Sequence, residues 1–238
     1  MMKWLPALVN SVSLILLILY FSIALPTFTM PFYNFAYNKN GTHELIGISN
    51  FDLERVTRLL MDYMRGSTDS LDIIVQIHGV SRPFFSDIEI AHMIDVAYLF
   101  QIGFIIRNIA LLLFLATFLC NFLYERGPAF KVYAKTYLIS QAVLLVLGGA
   151  LTAVILSNFE RSFIIFHEIF FFNDLWILDP SVDLLINIVP QQFFVDLFIV
   201  IVGIFALVSL IISLLCVIYL KARNDTESIK SSQGANIK

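Results

Sequence analysis

The sequence predicts an α-helical polytopic membrane protein with four transmembrane helices and a small extracellular α+β cap. Of the 238 residues, 59% are hydrophobic and only 14% are charged, and the mean hydropathy is +0.84. A soluble protein carries about 25% charged residues, so this composition indicates a membrane protein. Four uncharged runs are each long enough for a spanning helix of about 20 residues. The net charge of −3, without a basic cluster, gives no reason to expect a nucleic-acid partner.

The uncharged runs set the predicted boundaries along the chain. In order, we expect the N-terminus with span one at 1–26, the cap and a juxtamembrane helix at 27–99, span two at 100–124, a cytoplasmic loop at 125–135, span three at 136–159, an extracellular segment at 160–193, span four at 194–220 and a cytoplasmic tail at 221–238. The first run also resembles a cleavable signal peptide, because Lys3 precedes it. Its length, and Leu25-Pro26 after the potential cleavage site, favour a retained span.

Basic residues near the span ends predict the orientation. They are Lys3, Arg126, Lys131, Lys135, Lys221 and Arg223. Because short cytoplasmic loops are rich in Lys and Arg, both termini are expected inside and segments 27–99 and 160–193 outside. The histidines, which titrate near neutral pH, then all lie on the outer side. They are His43, His78, His92 and His167.

The cap is predicted to combine strands and helices. Asn40-Gly41 lies between Tyr33–Tyr37 and Leu45–Ile48, and this pattern indicates a β-hairpin, since Asn-Gly readily adopts positive φ. Asn50 is expected to cap a helix over about 51–64.

A strand is favoured at 73–77, where β-branched residues dominate. A helix that begins at Ser86 or Asp87 is expected to continue into span two. The polar tail from Asn224 to Lys238 is expected to be disordered.

A first group of polar side chains lies on this helix. Steps of three residues place Glu89, His92 and Asp95 on one face. A carboxylate beside an imidazole can fix its tautomer and raise the basicity of the other ring nitrogen, which prepares a general base. The same spacing also occurs on solvated helix faces that only hold ion pairs.

A second group lies between Phe163 and Asp183, where polar residues stand among aromatic and aliphatic ones. Polar groups in such surroundings are costly unless paired, so they suggest a site. Asp179-Pro180 is equally well explained as a helix N-cap followed by proline, and Asn173-Asp174 as turn residues. His167 is less easily explained this way, because acidic groups and Arg161 surround it. The neighbouring aromatic residues suit a membrane-interface belt or an acyl-chain pocket.

Missing motifs narrow the chemistry. His167-Glu168 lacks a second histidine four residues on, so it is not a zinc-protease helix. There is no GxSxG motif, and both cysteines, Cys120 and Cys216, fall inside apolar runs, so a covalent acyl-enzyme is disfavoured. The histidines and acidic residues could bind a metal, although their spacing has no specific signature. A metal-dependent membrane hydrolase and a non-enzymatic lipid-binding protein therefore stay open as alternatives.

With these residues identified, the sequence resembles the bacterial lipoprotein intramolecular transacylases over nearly the whole chain. The motifs that carry the resemblance are Glu89-Ile-Ala-His92-Met-Ile-Asp95-Val96, Phe166-His167 through Asn173-Asp174-Leu-Trp176-Ile-Leu-Asp179-Pro180, Asp183-Leu-Leu-Ile and Pro190-Gln-Gln-Phe-Phe. The predicted size, the four spans and the external cap agree with this family.

The resemblance implies an acyltransferase that needs no cofactor or metal. It would move an acyl chain from the sn-2 position of the diacylglyceryl group to the α-amine of the N-terminal cysteine of a lipoprotein, giving the lyso form. It implies a multi-pass protein of the bacterial cell membrane, expected to be monomeric, with its site at the extracellular membrane interface among membrane lipids.

The resemblance also implies roles for the candidate residues. His92 and His167 map onto the two expected catalytic histidines. Glu89 and Asp95 are candidates to orient His92, and Arg161 or Asn173 could stabilise an oxyanion. Further supporting candidates are Asp174, Asp179 and Asp183, and the expected substrate pocket consists of Phe166, Phe170, Phe172 and Trp176.

Overall fold

The structure, a computed structural model, describes residues 4–124 and 128–235. In chain order its elements are α1 (Trp4–Thr27), α2 (Met30–Asn40), α3 (Thr42–Ile46), α4 (Asn50–Arg65), β1 (Ile74–Ile77), β2 (Val80–Pro83), α5 (Asp87–Tyr124), α6 (Pro128–Ser157), α7 (Phe159–Phe170), α8 (Leu185–Ile188) and α9 (Gln191–Ala235). Within the described residues, α1, α5, α6 and α9 are long and apolar enough to cross a membrane. The four apolar helices and the small two-stranded sheet confirm the predicted fold class.

The chain forms two compact units. The first comprises 1–20, 107–151 and 203–238. In it, two hydrogen bonds join α1 to α5: the Asn10 amide donates to the Thr117 hydroxyl at 2.9 Å, and the Arg107 guanidinium donates to the Tyr20 hydroxyl at 2.9 Å. Such pairing satisfies groups that would be costly if left alone in an apolar environment.

The expectation of a disordered C-terminal tail is wrong up to Ala235, where α9 ends. Helix-compatible contacts explain the difference. Glu227 lies 3.5 Å from Arg223 one turn earlier and accepts a 2.6 Å hydrogen bond from Lys131 of α6. Pairs at i and i+4 support a helix even where the composition is polar. Residues 236–238 of the predicted tail lie outside the described residues.

The second unit comprises 21–106 and 152–202, and it contains the cap and its hydrophobic core. The predicted helix after residue 50 is present as α4, although Ser49 rather than Asn50 caps it, with its hydroxyl 3.0 Å from the Asp52 N–H. The predicted strand is β1, which pairs with β2 in antiparallel register, Ile77 opposite Val80. The helix expected from Ser86 or Asp87 is α5, which is continuous with the second span.

The predicted hairpin around Asn40-Gly41 is wrong, because this region forms α2 and α3. Gly41 has φ of +61°, as the turn would require, but its N–H bonds to the Tyr37 carbonyl and ends α2 instead. The buried residues of α2 recur at helical spacing, and this drives the helix: Phe32, Tyr33, Ala36 and Tyr37.

One ion pair joins the cap to the start of α9 within this unit. Lys39 donates to both oxygens of Asp196, at 2.8 and 2.6 Å, and Gln192 donates to the same carboxylate at 3.0 Å. Asp196 is buried, so this carboxylate has its charge compensated and its oxygens bonded.

Candidate active site

The two predicted histidines meet in the second unit. His92 lies on the second turn of α5 and His167 near the end of α7, and their side chains are only 8% and 7% exposed. The ring centroids are 6.2 Å apart, and the ring planes are tilted by 32°. Two residues 75 positions apart in the sequence thus place their imidazoles in one apolar site.

The tautomer of neutral His167 is set by its own helix. Its Nδ1 lies 2.7 Å from the Phe163 carbonyl, and a carbonyl oxygen can only accept a hydrogen bond. Nδ1 therefore carries the hydrogen, and Nε2 presents a lone pair. Burial lowers the pKa of His167 below its usual value, and the contact with the Phe163 carbonyl opposes this in part.

Aromatic rings enclose His167 on several sides. The Phe163 centroid lies 4.2 Å from that of His167, the Trp176 centroid 4.8 Å and the Phe166 centroid 5.4 Å. Such walls exclude water and strengthen any electrostatic interaction inside.

His92 is held differently. Its Nδ1 is buried and has no hydrogen-bond partner among the described residues. The Phe171 ring lies 5.2 Å from His92 and 5.5 Å from His167, so it contacts both imidazoles. A buried polar atom left unpaired costs about 1–3 kcal/mol, so Nδ1 of His92 is a group that a suitable ligand atom would stabilise.

Two carboxylates fasten the loop after α7 to the start of α5. The buried carboxylate of Glu89 accepts from the Ser86 N–H at 2.6 Å and the Leu185 N–H at 2.5 Å. Asp183 accepts from the Ser86 hydroxyl at 2.9 Å and from the Asp179 N–H at 2.8 Å. We call these four hydrogen bonds the carboxylate latch. The bonds of Glu89 hold the loop that carries Trp176, and none of those seen in the described residues goes to the His92 ring.

A second contact joins the same loop to α5. The Asn173 amide donates to the Asp95 carboxylate at 2.8 Å, and its oxygen accepts from the Leu175 N–H at 3.1 Å. Asp95 lies one turn after His92. Asn173 is therefore a turn residue and a link to the His92 helix at once.

Asp179-Pro180 does not begin a helix, so the predicted N-cap is wrong. Asp179 accepts instead from the N–H and hydroxyl of Ser181, at 2.8 and 2.7 Å, and these bonds lower the pKa of its exposed carboxyl. A single turn follows, in which the Asp183 N–H donates to the Asp179 carbonyl at 2.8 Å. The Asp183 side chain folds back into the carboxylate latch, and only the short α8 precedes Pro190.

Besides Asp179, three predicted site residues are not brought to the histidines. Arg161 is exposed at the start of α7, where its N–H bonds to the Asn158 side chain at 3.0 Å. Asp174 is exposed, and its carbonyl accepts from the Ile177 N–H in a turn. Phe172 is 97% exposed and projects outward, whereas the Phe170 ring lies beside that of Phe166, with the centroids 4.8 Å apart and the planes tilted by 43°.

Sequence reasoning missed the two phenylalanines closest to the histidines. Phe163 and Phe171 lie four residues before and after His167, which is the spacing of neighbours on one helix face. That spacing was the signal available. Phe171 was obscured because four successive residues from Ile169 to Phe172 are all large and apolar.

No group of three or more His, Cys, Asp or Glu side chains that could hold a metal ion occurs in residues 4–124 and 128–235. The site in this part of the chain consists of two imidazoles, aromatic walls and carboxylates bonded to backbone N–H groups.

The fold has solved counterparts. An in meso structure of the membrane integral lipoprotein intramolecular transacylase Lit from Bacillus cereus has a TM-score of 0.70, with 19% identity over 96% of this chain and 98% of that chain. Two variants of that protein, each with one histidine replaced, give TM-scores of 0.72 and 0.71 at 19% and 20% identity. The variant structures cover 95% and 94% of this chain, and 95% and 96% of theirs. At this identity, the likeness shows a shared fold.

In the described residues, the fold is that of a membrane protein with four helices long and apolar enough to cross a bilayer. The model of the lipoprotein intramolecular transacylase family, Lit, matches residues 8–194. The chain belongs to this family, and it is an acyltransferase. A comparison with curated protein sequences found no match.

Proposed function

We propose that this protein transfers an acyl chain within a diacylglyceryl-modified lipoprotein, from the sn-2 glyceryl oxygen to the α-amine of the N-terminal cysteine. The amine nitrogen attacks the ester carbonyl, an amide C–N bond forms, and the ester C–O bond to glycerol breaks. The proton lost by the nitrogen is returned to the glyceryl oxygen, so the products are an N-acyl group and a lyso-glyceryl group. The observation that carries this proposal is the buried His92–His167 pair, 6.2 Å between centroids, in a chain of the transacylase family.

His167 is assigned as the general base. The Phe163 carbonyl holds the hydrogen on Nδ1, so Nε2 is free to accept a proton from the amine. An α-amine has a pKa near 8 and is largely protonated at neutral pH, so a base is needed before it can attack. Burial favours the neutral imidazole, which is the form that this role requires.

His92 is assigned to the glyceryl oxygen. The proton that His167 takes from the amine passes to His92, which delivers it to this oxygen as the ester C–O bond breaks, so both imidazoles end in the state in which they began. The two reacting heteroatoms are attached to the same carbonyl carbon in the tetrahedral intermediate. Two imidazoles at 6.2 Å can therefore each address one of them. No side-chain nucleophile takes part in this scheme, and no acyl-enzyme forms.

The remaining candidates act through geometry. Glu89 and Asp183 hold the loop, and the Asp95–Asn173 bond keeps it beside His92. Phe171 and the walls Phe166, Phe170 and Trp176 confine the substrate to the cyclic arrangement in which amine and ester meet. Intramolecular reactions gain most from such confinement.

The proposed position of the site is the outer surface of the cell membrane, where the lipid-bearing cysteine of a lipoprotein lies. A single chain supplies both histidines, so a monomer suffices for the proposed chemistry.

Mass spectrometry of lipoprotein N-termini tests this function. Expression of the protein in cells that lack N-acylation should convert diacylglyceryl lipoprotein to the lyso form, and His92→Ala or His167→Ala should reduce conversion by about 100-fold or more, the usual range for loss of an acid–base group. His43→Gln, on α3 outside the site, is the matched control and should convert normally. Full conversion by both alanine variants would disprove the assignment. Release of free fatty acid without an N-acyl product would indicate a hydrolase.

A further inference from the structure

Helix α7 presents three different faces. One face packs on protein: Phe163 lies 5.2 Å from Phe194 of α9, and Phe159 lies 6.4 Å from Phe198. His167 borders this face and is the one residue of α7 that is buried. A second face is charged and exposed, and it consists of Glu160, Arg161 and Glu168.

The third face is apolar and largely exposed, and Phe166 at its edge also borders the site, where its ring centroid lies 5.4 Å from that of His167. At 100° per residue, Ile165, Ile169 and Phe166 follow one another around the helix over about 100°, beginning beside the charged face. We call these three residues, with the adjoining Phe170, the outer arc of α7. Their side chains are between 42% and 60% exposed. One further apolar residue, Ile164, lies on the charged side.

Phe172 extends this surface beyond the helix. Its ring is 97% exposed, whereas its neighbour Phe171 is buried against both histidines. A cluster of large exposed apolar side chains of this kind marks a contact surface. The two neighbouring rings thus point in different directions, Phe171 to the imidazoles and Phe172 to the outside.

The chain itself indicates what covers the surface. The membrane-crossing helix α6 ends at Ser157, and only Asn158 separates it from α7. The last turns of α6 also expose apolar residues, among them Val154 and Leu156. One linking residue spans about 3.8 Å, so α7 begins directly beside the end of α6, at the predicted membrane surface.

We propose that the outer arc of α7 and Phe172 insert into the acyl-chain region of the bilayer around the spans, with the charged face of α7 turned to the water and headgroups. An amphipathic helix with separate apolar and charged faces lies in the interface plane in this way. His167, on the same helix, is then fixed at the depth of the glyceryl esters. The lipid contact does not depend on the proposed reaction, but its effect on turnover does.

Site-directed spin labelling tests the contact directly. In a background with Cys120→Ala and Cys216→Ala, single cysteines replace Ile169 or Phe172, and Glu168 or Arg161 serves as the matched control. The labelled protein is placed in phosphatidylcholine–phosphatidylglycerol vesicles, and collision rates are measured with oxygen, which concentrates in lipid, and with a water-soluble nickel chelate. The ratio of oxygen to nickel collisions should be at least about threefold higher at Ile169 and Phe172 than at the controls. Equal, water-like ratios at all four positions would overturn the proposal.

A second measurement tests the consequence for turnover. Ile169→Asp should slow conversion of full-length lipoprotein in vesicles by about tenfold, yet convert a short diacylglyceryl lipopeptide in detergent micelles within twofold of the unaltered protein, because micelles impose no fixed depth. Ile169→Leu should behave like the unaltered protein in both. Equal loss in vesicles and micelles would contradict the role of depth. If the unaltered protein converts neither substrate, the proposed function fails while the spin-label ratios still decide the lipid contact.

Discussion

The tautomer of neutral His167 is fixed by its own helix, because the Phe163 carbonyl one turn earlier accepts a hydrogen bond from Nδ1. His92 has no such partner for its Nδ1 among the described residues. The two imidazoles therefore differ in what they offer a substrate: a fixed lone pair from His167, and an unengaged ring nitrogen from His92. This difference is the basis for separate roles in one reaction.

Burial of His167 also predicts how stability depends on pH. Its pKa is lowered in the folded protein, whereas in the unfolded chain it returns to about 6.5. Between these two values, the unfolded chain binds a proton that the folded chain does not, so the contribution to stability is complete above pH 6.5 and is lost as pH falls through this window.

Thermal unfolding in detergent at pH 7.5 and pH 5.0 measures this effect. We expect the melting temperature of the unaltered protein to fall further between pH 7.5 and pH 5.0 than that of His167→Gln. The melting temperature of His43→Gln should fall by as much as that of the unaltered protein. If acidification lowers the melting temperature of His167→Gln by the same amount as that of the unaltered protein, His167 is not the group that titrates.

Single residues also mark where prediction from sequence reached its limit. Both histidines were identified because polar groups stand out against apolar neighbours. Phe171 was not, since nothing distinguishes it from Phe170 and Phe172 until the end of α7 sets which ring turns inward. In the folded protein, the two adjacent side chains differ in exposure: Phe171 is buried, and Phe172 projects outward.

At the scale of elements, the carboxylate latch determines where the loop after α7 lies. Glu89 supplies two acceptor oxygens to two N–H groups, from Ser86 and Leu185. A glutamine side chain has only one acceptor oxygen, so it can accept from only one of these two N–H groups. Its NH₂ group then faces the other N–H, where two donors meet. Glu89→Gln should therefore destabilise the protein by about 1–3 kcal/mol and loosen the loop that holds Trp176 against His167.

The prediction is checked by melting temperature and conversion rate together. Glu89→Gln should lower the melting temperature. At 25 °C, where the variant is still folded, it should also lower the conversion rate, because the loop loosens before the fold is lost. Glu54→Gln is the matched control: it removes an exposed pair with Arg58, worth about 0.3–0.5 kcal/mol. Equal effects of the two substitutions would show that the latch does not position the site.

Elements also differed in how well the sequence predicted them. The long apolar helices, and α4 with one apolar and one polar face, follow from local sequence patterns, and they were predicted. The Asn40-Gly41 hairpin and the Asp179-Pro180 helix were wrong because each local signal fits two structures. Gly41 serves a helix end as well as a turn, and Asp183 is drawn into the latch by Ser86, 97 residues away. Tertiary contacts decided both cases.

At the scale of the whole molecule, the fold is shared with a protein of only 19% identity at a TM-score of 0.70. Within the described ranges, its framework consists of four apolar helices, and many different apolar side chains satisfy such a helix. The pattern of apolar runs thus specifies the helices, while a few polar residues between them specify the site.

The orientation of the chain in the membrane is also a property of the whole molecule. Charges at the span ends predict that both termini face the cytoplasm, with Lys135 and Lys221 on that side. In the cysteine-free background, Asp69→Cys in the cap and Asn224→Cys in the C-terminal part of α9 are treated with a membrane-impermeant maleimide. In intact spheroplasts, only Asp69→Cys should react, and Asn224→Cys should react after lysis. Ile109→Cys, inside a span, should stay unlabelled in both. Labelling of Asn224→Cys before lysis, with Asp69→Cys protected, would reverse the orientation and place the two histidines on the side opposite to the lipid-bearing cysteine of a lipoprotein.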